Sequence, residues 1–176
     1  MSTSPKPVAG IRATVSPRLT FKDAAKAIRF YERALGARET FRFEVDGRIA
    51  HADIAIGDSL LMLAEEWPEG ERFSAETLGN SPVWLSLQVG DVDAFAERAI
   101  AAGMKVKRPI QNQFYGHREG LLTDPFGYTW NVFTVTEEMS VEEMHRRMEA
   151  LTAGPKGGKP GASAHRSRGR NSGKVR

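Results

Sequence analysis

The sequence predicts an α+β fold built from two paired βαβββ modules that leave a cleft between them. Three observations predict it. First, residues 13–36, ATVSPRLTFKDAAKAIRFYERALG, and residues 81–103, SPVWLSLQVGDVDAFAERAIAAG, follow one plan: an extended apolar stretch, an Asp, an amphipathic helix, a Gly. Second, each is followed by a β-rich run, RETFRFEVDGRIAHADIAIGDSLLMLAEE and then MKVKRPIQNQFYGHREGLLTDPFGYTWNVFTV. Third, turn residues fall where each run must reverse. An internal repeat constrains architecture more than any single residue does.

In the first copy, residues 13–21 alternate as a strand. Asp23 caps a helix over residues 24–35, with Ile28, Tyr31 and Leu35 on one face, and Gly36 supplies the left-handed end. Strands follow near 39–45, 48–56 and 59–64, with turns at Asp46-Gly47 and Gly57-Asp58. Residues 65–81 form a polar connection, long enough to cross between modules or to carry a lid. In the second copy, residues 83–89 form a strand. Asp91 caps a helix over 92–102 with Val92, Phe95, Ala99 and Ala102 inward, and Gly103 ends it. Strands follow near 105–110, 117–123 and 128–135, the last two joined by Asp124-Pro125-Phe126-Gly127. A further helix over 140–151 opens on a capping box of Ser140 with Glu143. Its stripe of Val141, Met144, Met148 and Leu151 is suited to packing on a module or a partner chain. The chain thus divides into a first module (11–66), a linker (67–82), a second module (83–136), a helical segment (137–153) and a tail (154–176).

The 176 residues suit one domain or two small paired modules, and 40% hydrophobic with 27% charged residues is an ordinary globular composition. There is no Cys, which excludes disulfides, thiolate metal sites and a Cys nucleophile. No apolar run approaches a membrane span, and MSTSPKPVAG is not a signal peptide, so a cytoplasmic location is expected. The net charge of +3 conceals an asymmetry. Seven Lys or Arg and no acid lie in residues 154–176; removing those seven leaves 18 basic against 22 acidic residues, a net of −4 for residues 1–153. The tail is rich in Gly, Ser and Pro and poor in large apolar side chains, so disorder is expected, with at most weak contact to polyanions. No nucleophile elbow, phosphate-cradling loop or dinucleotide fingerprint is present.

Four stretches carry a resemblance: LTFKDAAKAIRFYERALGA, GRIAHADIAIGDSLLML, VGDVDAFAERAIAAG and QFYGHREGLLTDPFGYTWNV. Together they span most of residues 13–135. The sequence resembles the vicinal oxygen chelate superfamily of glyoxalases, bleomycin resistance proteins and dioxygenases, and within it the PhnB-like subgroup. The resemblance implies an incomplete barrel enclosing a cavity, commonly a homodimer. Metal-using members place His or Glu ligands on the first and last strand of each module. Carried over here, those positions are Ser16, Met62, Trp84 and Asn131. None is a His or a carboxylate, Trp84 cannot ligate, and Met62 suits only soft ions. The resemblance therefore implies no metal and no other cofactor, and it favours the branch that binds a bulky aromatic molecule.

Other candidates stand beside those four. His51 and Asp53 share a strand face and suit either an oriented acid–base pair or a solvated surface. Gln113–Arg118 gathers Phe114, Tyr115, His117 and Arg118 around Gly116, either stacking on a ligand and meeting an anionic group or covering the core edge. Trp67 closes over a ligand or docks on a neighbouring surface. The leading expectation is a metal-free small-molecule binding protein that sequesters an aromatic compound or antibiotic. The alternative is a glyoxalase-like lyase or isomerase using His51, His117 or a non-standard metal arrangement.

Overall fold

The computed structural model describes residues 15–152, and the basic tail expected beyond residue 153 lies outside them. Residues 15–139 form one compact unit, and the C-terminal helix belongs to a second. In the first unit the chain runs β1 (Arg18–Phe21), α1 (Ala24–Leu35), β2 (Arg38–Val45), β3 (Arg48–Ile56) and β4 (Ser59–Glu65). After a 3₁₀ turn and the short α2 (Ala75–Leu78) it repeats as β5 (Trp84–Gln88), α3 (Val92–Ala102), β6 (Lys105–Asn112), β7 (His117–Thr123) and β8 (Thr129–Val135). The two sheets have matching strand orders, β1-β4-β3-β2 and β5-β8-β7-β6, and do not close into a barrel.

The caps explain where the helices begin and end. Asp23 Oδ1 accepts from Lys26 N at 2.8 Å, and Asp91 Oδ1 accepts from the N–H groups of Asp93 and Ala94. Gly36, at φ 69°, turns the chain out of α1 in the left-handed conformation that costs Gly nothing. The first strand is shorter than its apolar pattern suggests. Pro17 has no N–H to give the ladder, so pairing starts from its carbonyl, which accepts from Met62 N at 2.9 Å.

The apolar faces of both helices and one face of each sheet merge into a single core. At its centre the rings of Phe21, Phe30 and Tyr31 from the first module meet Phe126, Tyr128 and Trp130 from the second, edge to face. Asp124 is buried among them. Its Oδ2 accepts from Tyr31 Oη (2.7 Å) and Trp130 Nε1 (3.0 Å), and its Oδ1 from the N–H groups of Phe126 and Tyr128 (both 2.9 Å). Burial pushes the Asp124 carboxyl up, and these four donors pull it back. Tyr128 Oη completes the joint, donating to Thr20 O at 2.7 Å.

The polar connection is more ordered than its composition suggests. Ser74 caps α2, and Glu66 accepts from both Ser74 N (2.8 Å) and Ser74 Oγ (2.5 Å). The C-terminal helix, α4 (Val141–Thr152), starts at the expected cap, with Glu143 N donating to Ser140 Oγ at 3.2 Å. Among the described residues no helix is long and apolar enough to cross a membrane.

Candidate functional site

Each sheet has a second face, turned away from the helices, and the cross-strand register shows which side chains share it. In the first module one row reads Phe41, Asp53, Met62, Arg18 across β2, β3, β4 and β1. His51 lies one step along the same face, opposite Phe43. In the second module the matching row reads Arg108, Leu121, Asn131, Ser86. The next reads Gln111, Glu119, Phe133, Gln88.

Met62 and Asn131 therefore occupy equivalent places. The residues opposite them are Arg18 and Ser86. Ser16 precedes β1, and Trp84 is paired with Thr129 rather than with Asn131. Counting from the helix caps finds the right strand and the right face. It misses the stagger of the parallel pairing by one same-face step. Either set of four, with or without that step, offers only one serine hydroxyl, one amide oxygen and a thioether, with no carboxylate or imidazole to hold a hard divalent ion. Among the described residues no three His, Cys, Asp or Glu side chains converge. These residues do not fit a catalytic divalent ion.

The second module builds a polar cluster on this face around Glu119, which is only 5% exposed. Its Oε1 accepts from Arg108 Nη2 (2.5 Å) and Tyr115 Oη (2.7 Å), and its Oε2 from Asn131 Nδ2 at a long 3.4 Å. Burial, and then the Glu119 hydrogen bond, push the Tyr115 phenol up to about 12, so it remains a donor at neutral pH. Arg108 Nε and Asn131 Oδ1 are buried without a hydrogen-bond partner. Both atoms are therefore available to a further hydrogen-bond partner.

Aromatic side chains flank the cluster. The His117 ring stacks on Phe133 with centroids 4.9 Å apart and planes 13° from parallel. Tyr115 meets His117 edge-on at 5.3 Å, and Phe114 meets Tyr115 at 5.0 Å. The Gln113–Gly116 loop that carries them is pinned by Thr136, whose N–H and Oγ1 both donate to Gly116 O. Gly116, at φ 83°, lies so close to the Glu137 carbonyl that no Cβ fits. Trp84 stands on the same sheet face, 55% exposed, with Lys107 Nζ 5.6 Å from its ring centroid.

In the first module, His51 Nδ1 lies 2.7 Å from Arg18 Nη2, and His51 Nε2 lies 2.9 Å from Asp53 Oδ1. The second contact is close but off-axis for the ring N–H, so Asp53 Oδ1 gains no well-directed hydrogen bond.

The remaining candidates lie elsewhere. Arg118 alternates with His117 onto the helix side, where it grips Asp93 with two 2.7 Å bonds and reaches Asn112 at 3.1 Å. Trp67 sits in a small turn beside Ala50, Gly70 and Arg72. Trp130 belongs to the core. A groove of about 720 Å³ runs along the edge strand β5, with Ser86, Gln88 and Phe133 on one wall and the β3–β4 turn on the other. Sequence reasoning missed Arg18, Arg108 and Glu119. The signal for Glu119 was a carboxylate set directly before Gly-Leu-Leu in a buried strand.

Comparison with known proteins is consistent with this geometry. A family model described as the glyoxalase/bleomycin resistance protein/dioxygenase superfamily matches residues 13–132. The uncharacterized protein Rv0887c of Mycobacterium tuberculosis is 35% identical over 144 residues, covering 80% of this chain and 85% of its own. Protein YjdN of Escherichia coli is 27% identical over 146 residues, covering 70% of this chain and 97% of its own. Among solved structures, TioX from Micromonospora sp. ML1 is similar with a TM-score of 0.56 at 26% identity, covering 73% of this chain and all of that one. The duplicated βαβββ plan, the two matching sheets and the family match over residues 13–132 agree: the chain belongs to the glyoxalase/bleomycin resistance protein/dioxygenase superfamily.

Proposed function

We propose that this protein binds a planar, largely apolar small molecule on the open face of its second module without using a metal, as a sequestering protein of the bleomycin-resistance type. The observation that carries the reading is the Glu119 cluster. A buried carboxylate held by Arg108, Tyr115 and Asn131 has two polar atoms unpartnered around it; the stacked His117 and Phe133 flank it, and Trp84 stands two rows along on the same sheet face. Stacking surface beside a few fixed polar groups is the ordinary composition of a small-molecule site. The donor chemistry at Met62, Asn131 and the residues opposite them argues against Lewis-acid catalysis there. We place the chain in the PhnB-like subgroup on the four stretches quoted above.

Assembly as a homodimer belongs to the same proposal. Among the described residues β1 and β5 each have an edge without a strand partner, and Trp84 and Phe43 (54% exposed) stand on faces that a second copy would cover. Light scattering at micromolar concentration reads the mass directly.

The test of binding is titration of tryptophan fluorescence with a panel of planar aromatic antibiotics, with and without Ni²⁺ or Mn²⁺. Saturable quenching without metal, lost in Trp84→Phe, is the expected result. A response that requires metal overturns the reading. A second reading, a lyase or isomerase, is favoured by one observation: the Arg18–His51–Asp53 contacts on the first module.

A further inference from the structure

The joint between the modules is built twice, and only one half of it is filled. Met62 N and Glu66 N donate to Pro17 O and Phe21 O, so alternation turns the N–H and C=O of Thr20 to the open side of β1. Tyr128 from the second module meets both groups. Its Oη accepts from Thr20 N at 3.0 Å and donates to Thr20 O at 2.7 Å. Leu19, Thr20 and Phe21 are accordingly buried. In β5 the equivalent of Thr20 is Gln88, since Ser86 pairs with Asn131 as Arg18 pairs with Met62. Val89 N donates to Phe133 O, so Gln88 turns its N–H and C=O away from β8, and no strand lies on that side among the described residues. Tyr128 stands three positions before Asn131; the residue three before Met62 is Ser59, whose hydroxyl has nothing like the reach of a phenol. The neighbouring rings are absent too. Counted from the caps Asp23 and Asp91, Tyr31 is matched by Ala99; counted along the strands, Phe21 is matched by Val89. Only Gly57 and Asp58 lie between the paired Ile56 and Ser59, where Pro125, Phe126 and Gly127 lie between Asp124 and Tyr128. The space left is the groove of about 720 Å³ along β5. Leu87, Val89 and Phe95 line it, with the Arg98 guanidinium 5.2 Å from the Phe95 ring centroid. Leu87 and Val89 stay half-buried where Leu19 and Phe21 are sealed.

We propose that this groove is a second ligand site, on the strand edge rather than the open sheet face, and that it takes a phenol. The ring fills the space that the other half of the joint gives to aromatic side chains, against Leu87, Val89 and Phe95. The phenolic O–H donates to Gln88 O, and the same oxygen accepts from Gln88 N–H, as Tyr128 Oη does at Thr20. Water can meet either backbone group. A hydroxyl on a flat apolar body meets both and covers the half-buried side chains at once, which water does not. A carboxylate has no proton to give Gln88 O, and Asp58 and Asp91 stand in the lining, so the neutral phenol is the form that fits.

The probe is p-cresol, the tyrosine side chain as a free molecule, titrated into the full-length protein and followed by ¹H–¹⁵N NMR. Saturable shifts of the Gln88, Val89 and Ser59 backbone amides are expected. 4-Methylanisole keeps the ring and lacks the O–H, and should bind about fivefold more weakly, the effect of one net hydrogen bond. Ser59→Tyr supplies the hydroxyl from within the chain and should abolish the shifts and raise Tm. Ser59→Ala leaves the groove open and should bind as the wild type does. The anisole comparison needs no variant, so it decides the matter even where Ser59→Tyr does not fold. No saturable shift at these amides, or equal binding of 4-methylanisole, overturns the proposal. Val15 lies beside Leu85 and Leu87 at the adjoining end of the same edge. Binding that appears only after removal of residues 1–14 would therefore make this chain's own N-terminal segment the occupant, and overturns the proposal as well. The Trp84 indole and the Asn131 side-chain amide report the open face and should stay unmoved by p-cresol, so failure at either site is read apart from the other.

Discussion

The two modules share a backbone plan and differ almost entirely on one face. Both open with an Asp cap, close the helix with a Gly, and order their strands alike. The helix-facing layers are interchangeable in kind: Leu19, Ile54 and Leu63 in one, Leu122, Trp130 and Val132 in the other. On the opposite face the register sets His51 of the first module where the second has Glu119, and Asp53 where it has Leu121. One module thus presents an imidazole between a cation and a carboxylate. The other presents a buried carboxylate clamped by Arg108, Tyr115 and Asn131. The packed layer is held by volume and apolarity, which many sequences satisfy. The open layer is free of that demand, and it is there that the two copies have acquired separate chemistry.

Breaking the joint between the modules should have the largest effect. Asp124→Ala removes the acceptor for Tyr31, Trp130 and two backbone N–H groups, and should cost about 3–5 kcal/mol in urea unfolding. The loss should appear as one cooperative transition, because Tyr31 belongs to the first module and Asp124 to the second. Two separated transitions would mean that the modules fold independently.

Next comes a contrast between the faces. Glu119→Ala leaves Arg108 and Tyr115 facing a buried gap, and should cost about 2–3 kcal/mol. His51→Ala, at a half-exposed position, should cost about 1 kcal/mol or less. Equal costs would erase the difference between a clamped cluster and an open one. A smaller effect is set by pH. The hydroxyls of Ser74 and Thr77 and the Ser74 N–H hold Glu66 down at about 2. A carboxylate depressed by folding stabilises above its unfolded value near 4.5, and that contribution is lost as pH falls through about 2. Amide exchange in residues 74–78 should therefore rise between pH 4.5 and 2 before the sheets open. The smallest effect is expected from Arg118→Ala. Its partner Asp93 is on the surface, where water screens the pair, so stability should be nearly unchanged, and ligand quenching at Trp84 should not change.

The elements were readable in the sequence because caps, turns and apolar spacing are local signals. Asp46-Gly47 gives the hairpin turn it promised, with both residues at positive φ. Asp124 reads only as a turn residue, since its role depends on Tyr31, far away in the chain and present only after the modules meet. The candidate site was partly legible. Strand alternation alone puts His51 with Asp53 and His117 opposite in sense to Arg118. Arg108 could not be placed with Glu119, because β6 shifts register on both sides of Arg108. Arg18 was passed over because counting along one strand says nothing of the stagger between two parallel ones.

The central claim is that the open face of the second module receives a planar ligand without metal. ¹H–¹⁵N NMR of the protein titrated with the aromatic compound that quenches best, in the presence of a chelator, tests it most directly. The account predicts saturable shifts of the Trp84 indole N–H, the Asn131 side-chain amide and the His117 backbone, with the core Trp130 indole unmoved. Shifts confined to other surfaces, or appearing only when a divalent ion replaces the chelator, would contradict it.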